Sequence, residues 1–204
     1  MTKEEEFTLV KRVQTGESQL FEELVLAYQK QVYHLALRMT SNEHDALDIS
    51  QEAFLRAYSS IQSFRGQSRF YVWLYRLTSN IAIDFLRRRS RKDTLSLNIS
   101  DEDESEYEIP DERFSPERAL DKKELRAAVA VALEALPHEY RQIVTLREIS
   151  GLSYDELADV LELELGTVKS RLSRARKQLC ALLLQSGNLS DDFPSKEAKD
   201  AKEV

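Results

Sequence analysis

A chain of 204 residues with 42% hydrophobic and 32% charged side chains holds enough apolar material for one or two small cores. Five glycines and four prolines leave little punctuation for an all-β chain of many turns, and no apolar run nears the ~18–20 residues that span a bilayer. One cysteine excludes an internal disulfide, and the acidic start MTKEEEFTLVK is unlike a secretory leader. The expectation is an all-α, cytoplasmic protein whose Cys180, in the run LCALLL, is a buried and inert thiol. In chain order, Phe7, Val10 and Val13 mark a first helix that Thr15-Gly16 breaks. A second carries Phe21, Leu24, Val25, Tyr28, Val32, Leu35, Ala36 and Met39 at helical spacing. Thr40-Ser41-Asn42 offers caps for a third, with Ala46, Ile49, Ala53, Leu55, Ala57 and Tyr58 as its core stripe. The fourth begins near Ser68 and runs into the basic stretch Arg87 to Lys92, whose cations suit the negative end of a helix dipole.

The net charge of −7 is unevenly spread: residues 1–93 sum to +2, 94–117 to −8, 118–186 to +1 and 187–204 to −2. The acidity therefore belongs to one segment, TLSLNISDEDESEYEIPDERFSPE, which has too few apolar residues to offset the cost of ordering and reads as a flexible acidic linker. Beyond it, Ser115-Pro116-Glu117 starts a helix, Leu136-Pro137 interrupts, a short helix from about His138 to Glu148 ends at Gly151, and Ser153 to Glu156 spells a capping box. After Tyr154 to Leu161, a last helix carries Val168, Leu172, Ala175, Leu179 and Leu182 on one stripe. The turn between them, Leu161 to Leu165, lacks glycine and proline, so its sequence is also compatible with a continuous helix. The chain thus divides into an N-terminal four-helix domain (1–93), a linker (94–114), a C-terminal helix-turn-helix domain (115–186) and a disordered tail (187–204).

Two stretches carry chemistry. FRGQSRFYVWLYR, residues 64–76, crowds five aromatic residues and three arginines beside a glycine, a combination suited to a ligand with both flat bases and phosphates. Phe70, Trp73, Leu74 and Leu77 fall at core spacing, so Trp73 belongs inside, while Phe64 and Tyr71 are the better candidates to face such a ligand. On the last helix, Gly166, Ser170, Ser173, Arg174 and Lys177 lie opposite the apolar stripe with Lys169, Arg171 and Arg176 on its flanks. That is the face a recognition helix offers the major groove, although a solvated basic face has the same composition. His44, Asp48 and Glu52 recur at i, i+4 and i+8, but no converging ligands occur elsewhere, so neither a metal nor a cofactor is expected. Nor do paired carboxylates or a phosphate loop suggest an enzyme.

GLSYDELADVLELELGTVKSRLSRARKQL, together with DALDISQEAFLRAYSSIQSFRGQSRFYVWLYR, resembles the extracytoplasmic-function (ECF) sigma factors of bacterial RNA polymerase, in particular the sigma-E-like group of the sigma-70 superfamily. The resemblance implies a non-enzymatic promoter-recognition subunit with sigma region 2 at residues 1–93 and region 4 at 115–186. It implies partners as well: core RNA polymerase, duplex −35 DNA, the single-stranded −10 element and an anti-sigma factor that holds the chain near the inner membrane. Carried over by position, core polymerase would meet Asp48, Gln51, Glu52, Leu55 and Arg56. The −10 strand would meet Phe64, Arg65, Gln67, Ser68, Arg69, Tyr71, Arg76, Asn80, Asp84, Arg87 and Arg88. The −35 duplex would meet Thr167, Lys169, Ser170, Arg171, Ser173, Arg174 and Lys177. A stand-alone helix-turn-helix regulator is the alternative, but it would have no need of the separate aromatic and arginine-rich domain.

Overall fold

A computed structural model describes the backbone of residues 1–95 and 116–185 and the side chains of residues 1–89 and 125–185. Of the acidic linker expected over 94–114, Thr94 and Leu95 instead end α4, and the rest lies outside the described residues, as do the cap at Ser115, the C-terminal tail and the side chains of Ser90 to Lys92. Every regular element described is helical: α1 (Lys3–Gln14), α2 (Phe21–Thr40), α3 (Glu43–Ser59), α4 (Phe70–Leu95), α5 (Pro116–Glu134), α6 (His138–Val144), α7 (Tyr154–Leu161) and α8 (Leu165–Gln185). Short 3₁₀ turns at Ser18–Leu20 and Ile61–Ser63 lead into α2 and toward α4.

The N-terminal bundle follows from local chemistry. Thr2 and Glu5 close a capping box on α1, and Asn42 accepts the Asp45 N–H at 3.0 Å to start α3. Ser41 turns the chain left-handed (φ 55°) between α2 and α3, a conformation that a short polar residue tolerates better than a branched one. Leu24, Val32, Leu35, Ala36 and Met39 from α2 then meet Ala46, Ile49, Ala53 and Ala57 from α3 and Phe70, Leu74 and Ile81 from α4, all buried. The alanines of α3 let that helix approach closely, and the large side chains of α2 and α4 fill the space.

Two departures concern α3. Leu55 and Tyr58, expected in its core stripe, are 70% and 46% exposed. Ala46, Ile49, Ala53 and Ala57 complete the buried stripe at spacings of three and four, and residues 55 and 58 fall off it by about 100–200°.

In the C-terminal unit α6 does not continue as plain α-helix. It widens into a π turn over Thr145–Ile149, with the Ser150 N–H reaching Thr145 O at 3.0 Å, before Gly151 (φ +73°) ends it. The capping box at Ser153 and Glu156 forms as the spacing predicts, Ser153 N donating to Glu156 Oε2 at 2.8 Å. The turn without glycine is a true break: Glu162 adopts the left-handed conformation (φ 54°), and the Leu163 N–H closes on Ala158 O at 3.1 Å. This is a Schellman-type end in which the apolar side chain of Leu163 turns back, partly buried, onto the core, a packing that continuous helix would not give. Glu162→Gly should therefore raise stability by ~0.5–1 kcal/mol, read as a higher urea midpoint at unchanged slope, because glycine takes φ > 0 without steric cost. An unchanged or lower midpoint would show that the left-handed Glu162 carries no strain. The substitution also removes the ion pair between Glu162 and Arg76, which contributes little at 3.5 Å and with the carboxylate largely exposed.

The two halves share one contiguous apolar core rather than two separate ones. α2 faces α5, α6 and the π turn, and α4 faces α7. Arg141 of α6, only 5% exposed, donates through Nη1 to Met39 O at 2.7 Å, near the carboxyl end of α2, and through Nη2 to Glu134 O. A cation there suits the negative end of α2, although burial lowers the guanidinium pKa and Nε finds no partner among the described residues.

Candidate nucleic-acid and polymerase interface

α3 turns Asp48, Gln51, Leu55 and Arg56 outward, with Glu52 half-exposed and paired to Arg56 one turn on. Leu47, 48% exposed, joins Gln51, Leu55 and Tyr58 on one line along the helix. Sequence reasoning missed Leu47, although its spacing of four and eight from Gln51 and Leu55 signals the same face. Tyr58 is steadied by an edge-on contact with Phe21, ring centres 5.1 Å apart. An exposed apolar line edged by carboxylates has the composition of a protein-binding face rather than a nucleic-acid one.

Of the residues expected at a single strand, Arg65 and Gln67 are exposed on the loop before α4, and Ser68 is half-exposed. Phe64 is a correction. It is 7% exposed and packs 5.8 Å from Phe70 and 5.3 Å from Trp73, so its ring fills the base of the loop and is not available to stack on a base. Trp73 is buried in the same cluster, as its spacing predicts. Arg69 is also committed inside the protein, 2.9 Å from the buried Glu6 carboxylate and 4.7 Å from the Tyr71 ring centre. Along α4, Arg76 is half-exposed while Asn80, Asp84, Arg87 and Arg88 are exposed at spacings of three and four. They form one outward stripe ~18 Å long with cations at both ends.

Tyr71 and Arg76 meet the other half of the molecule. The Tyr71 hydroxyl donates to Glu156 Oε1, and Arg76 lies 3.5 Å from Glu162. Burial and the Glu156 contact push the Tyr71 hydroxyl pKa well up, so it stays a proton donor at every physiological pH. Burial alone would raise the Glu156 carboxyl, but hydrogen bonds from Tyr71 and Ser153 hold it below the usual carboxylate range. The stabilisation from the ionised carboxylate is present above the ordinary carboxylate pKa and is lost as pH falls through the lowered one. One glutamate thus caps α7 and binds α4.

α8 buries Val168, Leu172 and Ala175 and leaves Thr167, Lys169, Ser170, Ser173 and Arg174 exposed, in agreement with the wheel. Arg174 Nε donates to Ser170 O at 3.2 Å, and Ser170 Oγ to Thr167 O at 3.1 Å, contacts on the helix itself that leave the rest of each group facing solvent. Arg171 is half-buried, 3.5 Å from Glu139, and Lys177 is half-buried, so both stand at the border of the face. Arg176 pairs with Glu148 at 2.5 Å. Cys180, expected to be buried, is half-exposed. No cluster of metal-ligating side chains occurs among the described residues, and no helix there is long and apolar enough to cross a membrane.

The chain matches the families described as Sigma-70 region 2 over residues 24–92 and Sigma-70, region 4 over residues 126–179. It is similar to the RNA polymerase sigma-H factor of Pseudomonas aeruginosa, 40% identical over 88% of this chain and 94% of the relative. The ECF RNA polymerase sigma-E factor of Escherichia coli K12 is also 40% identical, over 84% of this chain and 90% of the relative. Among solved structures, the sigma factor RpoE of Bartonella quintana in complex with the anti-sigma factor NepR is 27% identical and covers 80% of this chain and 96% of that one, with a TM-score of 0.65. With both regions matched in order and relatives aligned along most of its length, this chain belongs to the ECF sigma factors of the sigma-70 family, the subunits that direct bacterial RNA polymerase to promoters.

Proposed function

We propose that the three outward faces divide the work of a sigma factor. Asp48, Gln51, Glu52, Leu55 and Arg56, with Leu47, bind core polymerase. The loop at Arg65, Gln67 and Ser68 and the α4 stripe Arg76, Asn80, Asp84, Arg87 and Arg88 take the −10 strand. Thr167, Lys169, Ser170, Ser173 and Arg174 take the −35 duplex, with Arg171 and Lys177 at its edge. The observation that carries this reading is the burial pattern of α8: its apolar side chains are inside while its small polar and cationic ones are outside, at the spacing of a groove-reading helix. Tyr71 and Arg76 are held by α7 in this form. The two promoter elements lie about two helical turns apart, on the order of 70 Å of duplex. Binding to both requires the halves to part, with Tyr71 and Arg76 then released from α7. The region 2 domain extends over 1–93 and the region 4 domain over 115–186, the chain carries no reaction of its own, and it serves an envelope or other stress response. An anti-sigma factor is its regulatory partner and holds it at the inner membrane from the cytoplasmic side; the NepR complex of the Bartonella relative supports such a partner.

The test is reconstitution: purified core polymerase with this chain should start transcription at its own promoter, and core alone should not. Free protein, with a net charge of −7, should bind a promoter duplex weakly at physiological salt, because nonspecific attraction to phosphates is small. Tight, specific binding without polymerase in a mobility-shift assay would favour a stand-alone helix-turn-helix regulator instead.

A further inference from the structure

The match to region 2 begins at residue 24, yet α1 (Lys3–Gln14) touches the loop between α3 and α4 at three places. At its far end, Gln14 Nε2 donates to Ile61 O at 2.8 Å and to Phe64 O at 2.9 Å, while Gln62 Nε2 donates back to Gln14 O at 2.9 Å. Both amide hydrogens are used on two backbone carbonyls, an arrangement that a carboxylate cannot reproduce. In the middle, the Phe7 ring covers Gly66 so closely that a Cβ there would lie 2.7 Å from Phe7 Cε2, and Gly66 has φ +71°. At the near end stands Glu6, 2% exposed. Its Oε1 accepts the Tyr71 N–H at 2.9 Å and its Oε2 accepts Arg69 Nε at 2.9 Å.

The Glu6 contact answers a question of local structure. The sequence places the start of α4 near Ser68, where a serine cap is available, but the helix begins at Phe70 and the residue before it is Arg69. Arginine has no side-chain acceptor, so an early N–H of α4 would be left unpaired. Glu6 supplies the acceptor from another helix, its negative charge at the positive end of α4. Burial and this carboxylate also push the adjacent Tyr28 hydroxyl up to about 12. The Glu6 carboxylate is buried but the Arg69 side chain is a third exposed, so the pair contributes little net stability, while its hydrogen bonds to Arg69 and to the Tyr71 N–H fix where the loop joins α4. Pinned at 61–64, at 66 and at 69–71, the loop retains freedom chiefly in the side chains of Arg65, Gln67 and Ser68.

We propose that α1 is a splint for this loop: Glu6, Phe7 and Gln14 are positioning residues that preset how Arg65, Gln67 and Ser68 meet the −10 strand, without touching DNA themselves. The inference rests on the assignment of the loop to the −10 strand made above. Presetting matters because a loop that must order on binding spends interaction energy on its own entropy.

The experiment uses full-length protein assembled with core polymerase and measures three affinities: for core, for a −35 duplex fragment and for a single-stranded −10 oligonucleotide with single-base variants. Gln14→Glu keeps shape but turns an oxygen toward two carbonyls. It and Glu6→Gln should weaken −10 binding about 5- to 10-fold and flatten its base preference, with core and −35 affinity unchanged. Phe7→Ala, at a half-exposed site that tolerates truncation, keeps the test open if the Glu6 variant fails to fold, and should show the same selective loss. Gln67→Ala serves as the control for the site itself. If Gln67→Ala loses −10 binding while the α1 variants keep it with the wild-type base preference, the splint is wrong and the site stands. If all four variants bind the oligonucleotide as wild type, the loop is not the −10 site and the splint falls with it. Equal losses in all three affinities in folded α1 variants would make α1 a general structural element and also overturn the proposal.

Discussion

Arg141→Ala is expected to part the two halves of the free protein. The guanidinium spans the seam between α6 and the end of α2, and its bond to Met39 O is charge-assisted. Hydrogen bonds to charged groups contribute ~1.5–3 kcal/mol, so truncation should shift the docking equilibrium by roughly 10- to 150-fold toward the parted form. Small-angle scattering should then show a larger radius of gyration, and protease should cut faster between α4 and α5. Arg141→Met, which keeps much of the volume and removes the charge, separates packing from hydrogen bonding: recovery of the compact radius would assign the effect to packing. Tyr71→Phe, which deletes the hydroxyl that reaches Glu156, should move the radius in the same direction by less, since one hydrogen bond is removed and the ring stays. If neither Arg141→Ala nor Tyr71→Phe alters the radius, the seam is held by apolar contact alone.

The second large effect concerns the division of surfaces. Arg174→Ala should lower affinity of the polymerase complex for a −35 duplex by about 5- to 150-fold, the ~1–3 kcal/mol that one base contact contributes, and relax its preference at one or two base pairs. Ser170→Ala should act in the same direction more weakly, since a serine makes one hydrogen bond where an arginine makes two. Neither should change affinity for core polymerase, because α8 and the outward face of α3 belong to different halves of the molecule. Asp48→Ala should do the reverse, weakening core binding while the DNA preference of the assembled complex is kept. Loss of core affinity in Arg174→Ala with an unchanged base preference would show that the faces have been assigned the wrong way round.

Much of this is legible in the sequence because it is local. The capping box Ser153-x-x-Glu156 needs only its own four residues, and the stripe Val168, Leu172, Ala175 needs only the period of a helix, so both form as their spacing predicts. The same holds for Trp73, whose spacing from Phe70 and Leu77 places it in the core. Phe64 is not legible in this way, because a ring that stacks on a base and a ring that floors a loop have the same composition, and loop residues have no period to separate them. Leu55 and Tyr58 escape for a different reason. An apolar side chain on a protein-binding face fits a helical stripe as readily as a core residue does, and only the packing of α2 and α4 against the alanine side of α3 decides between them. Arg69 carries the charge a phosphate wants, yet Glu6, 63 residues earlier in the chain, already holds it.

What the sequence by itself determined is the helical identity of each segment, the order of the two units, the break at Gly151 and the polar face of α8, all set by interactions within about one or two turns of chain. Tertiary structure alone decided the rest. It sets the left-handed Glu162 that ends α7, the cap on α4 supplied by Glu6, the loop clamp at Gln14, and the seam where Arg141 reaches Met39 O and Tyr71 reaches Glu156. The turn at Glu162 closes on the nearby Ala158 O and is settled by Leu163 packing onto the core, whereas each of the others satisfies a backbone or buried polar group with a partner that is distant in sequence. A buried donor or acceptor must be paired, but that requirement does not say from which helix the partner comes.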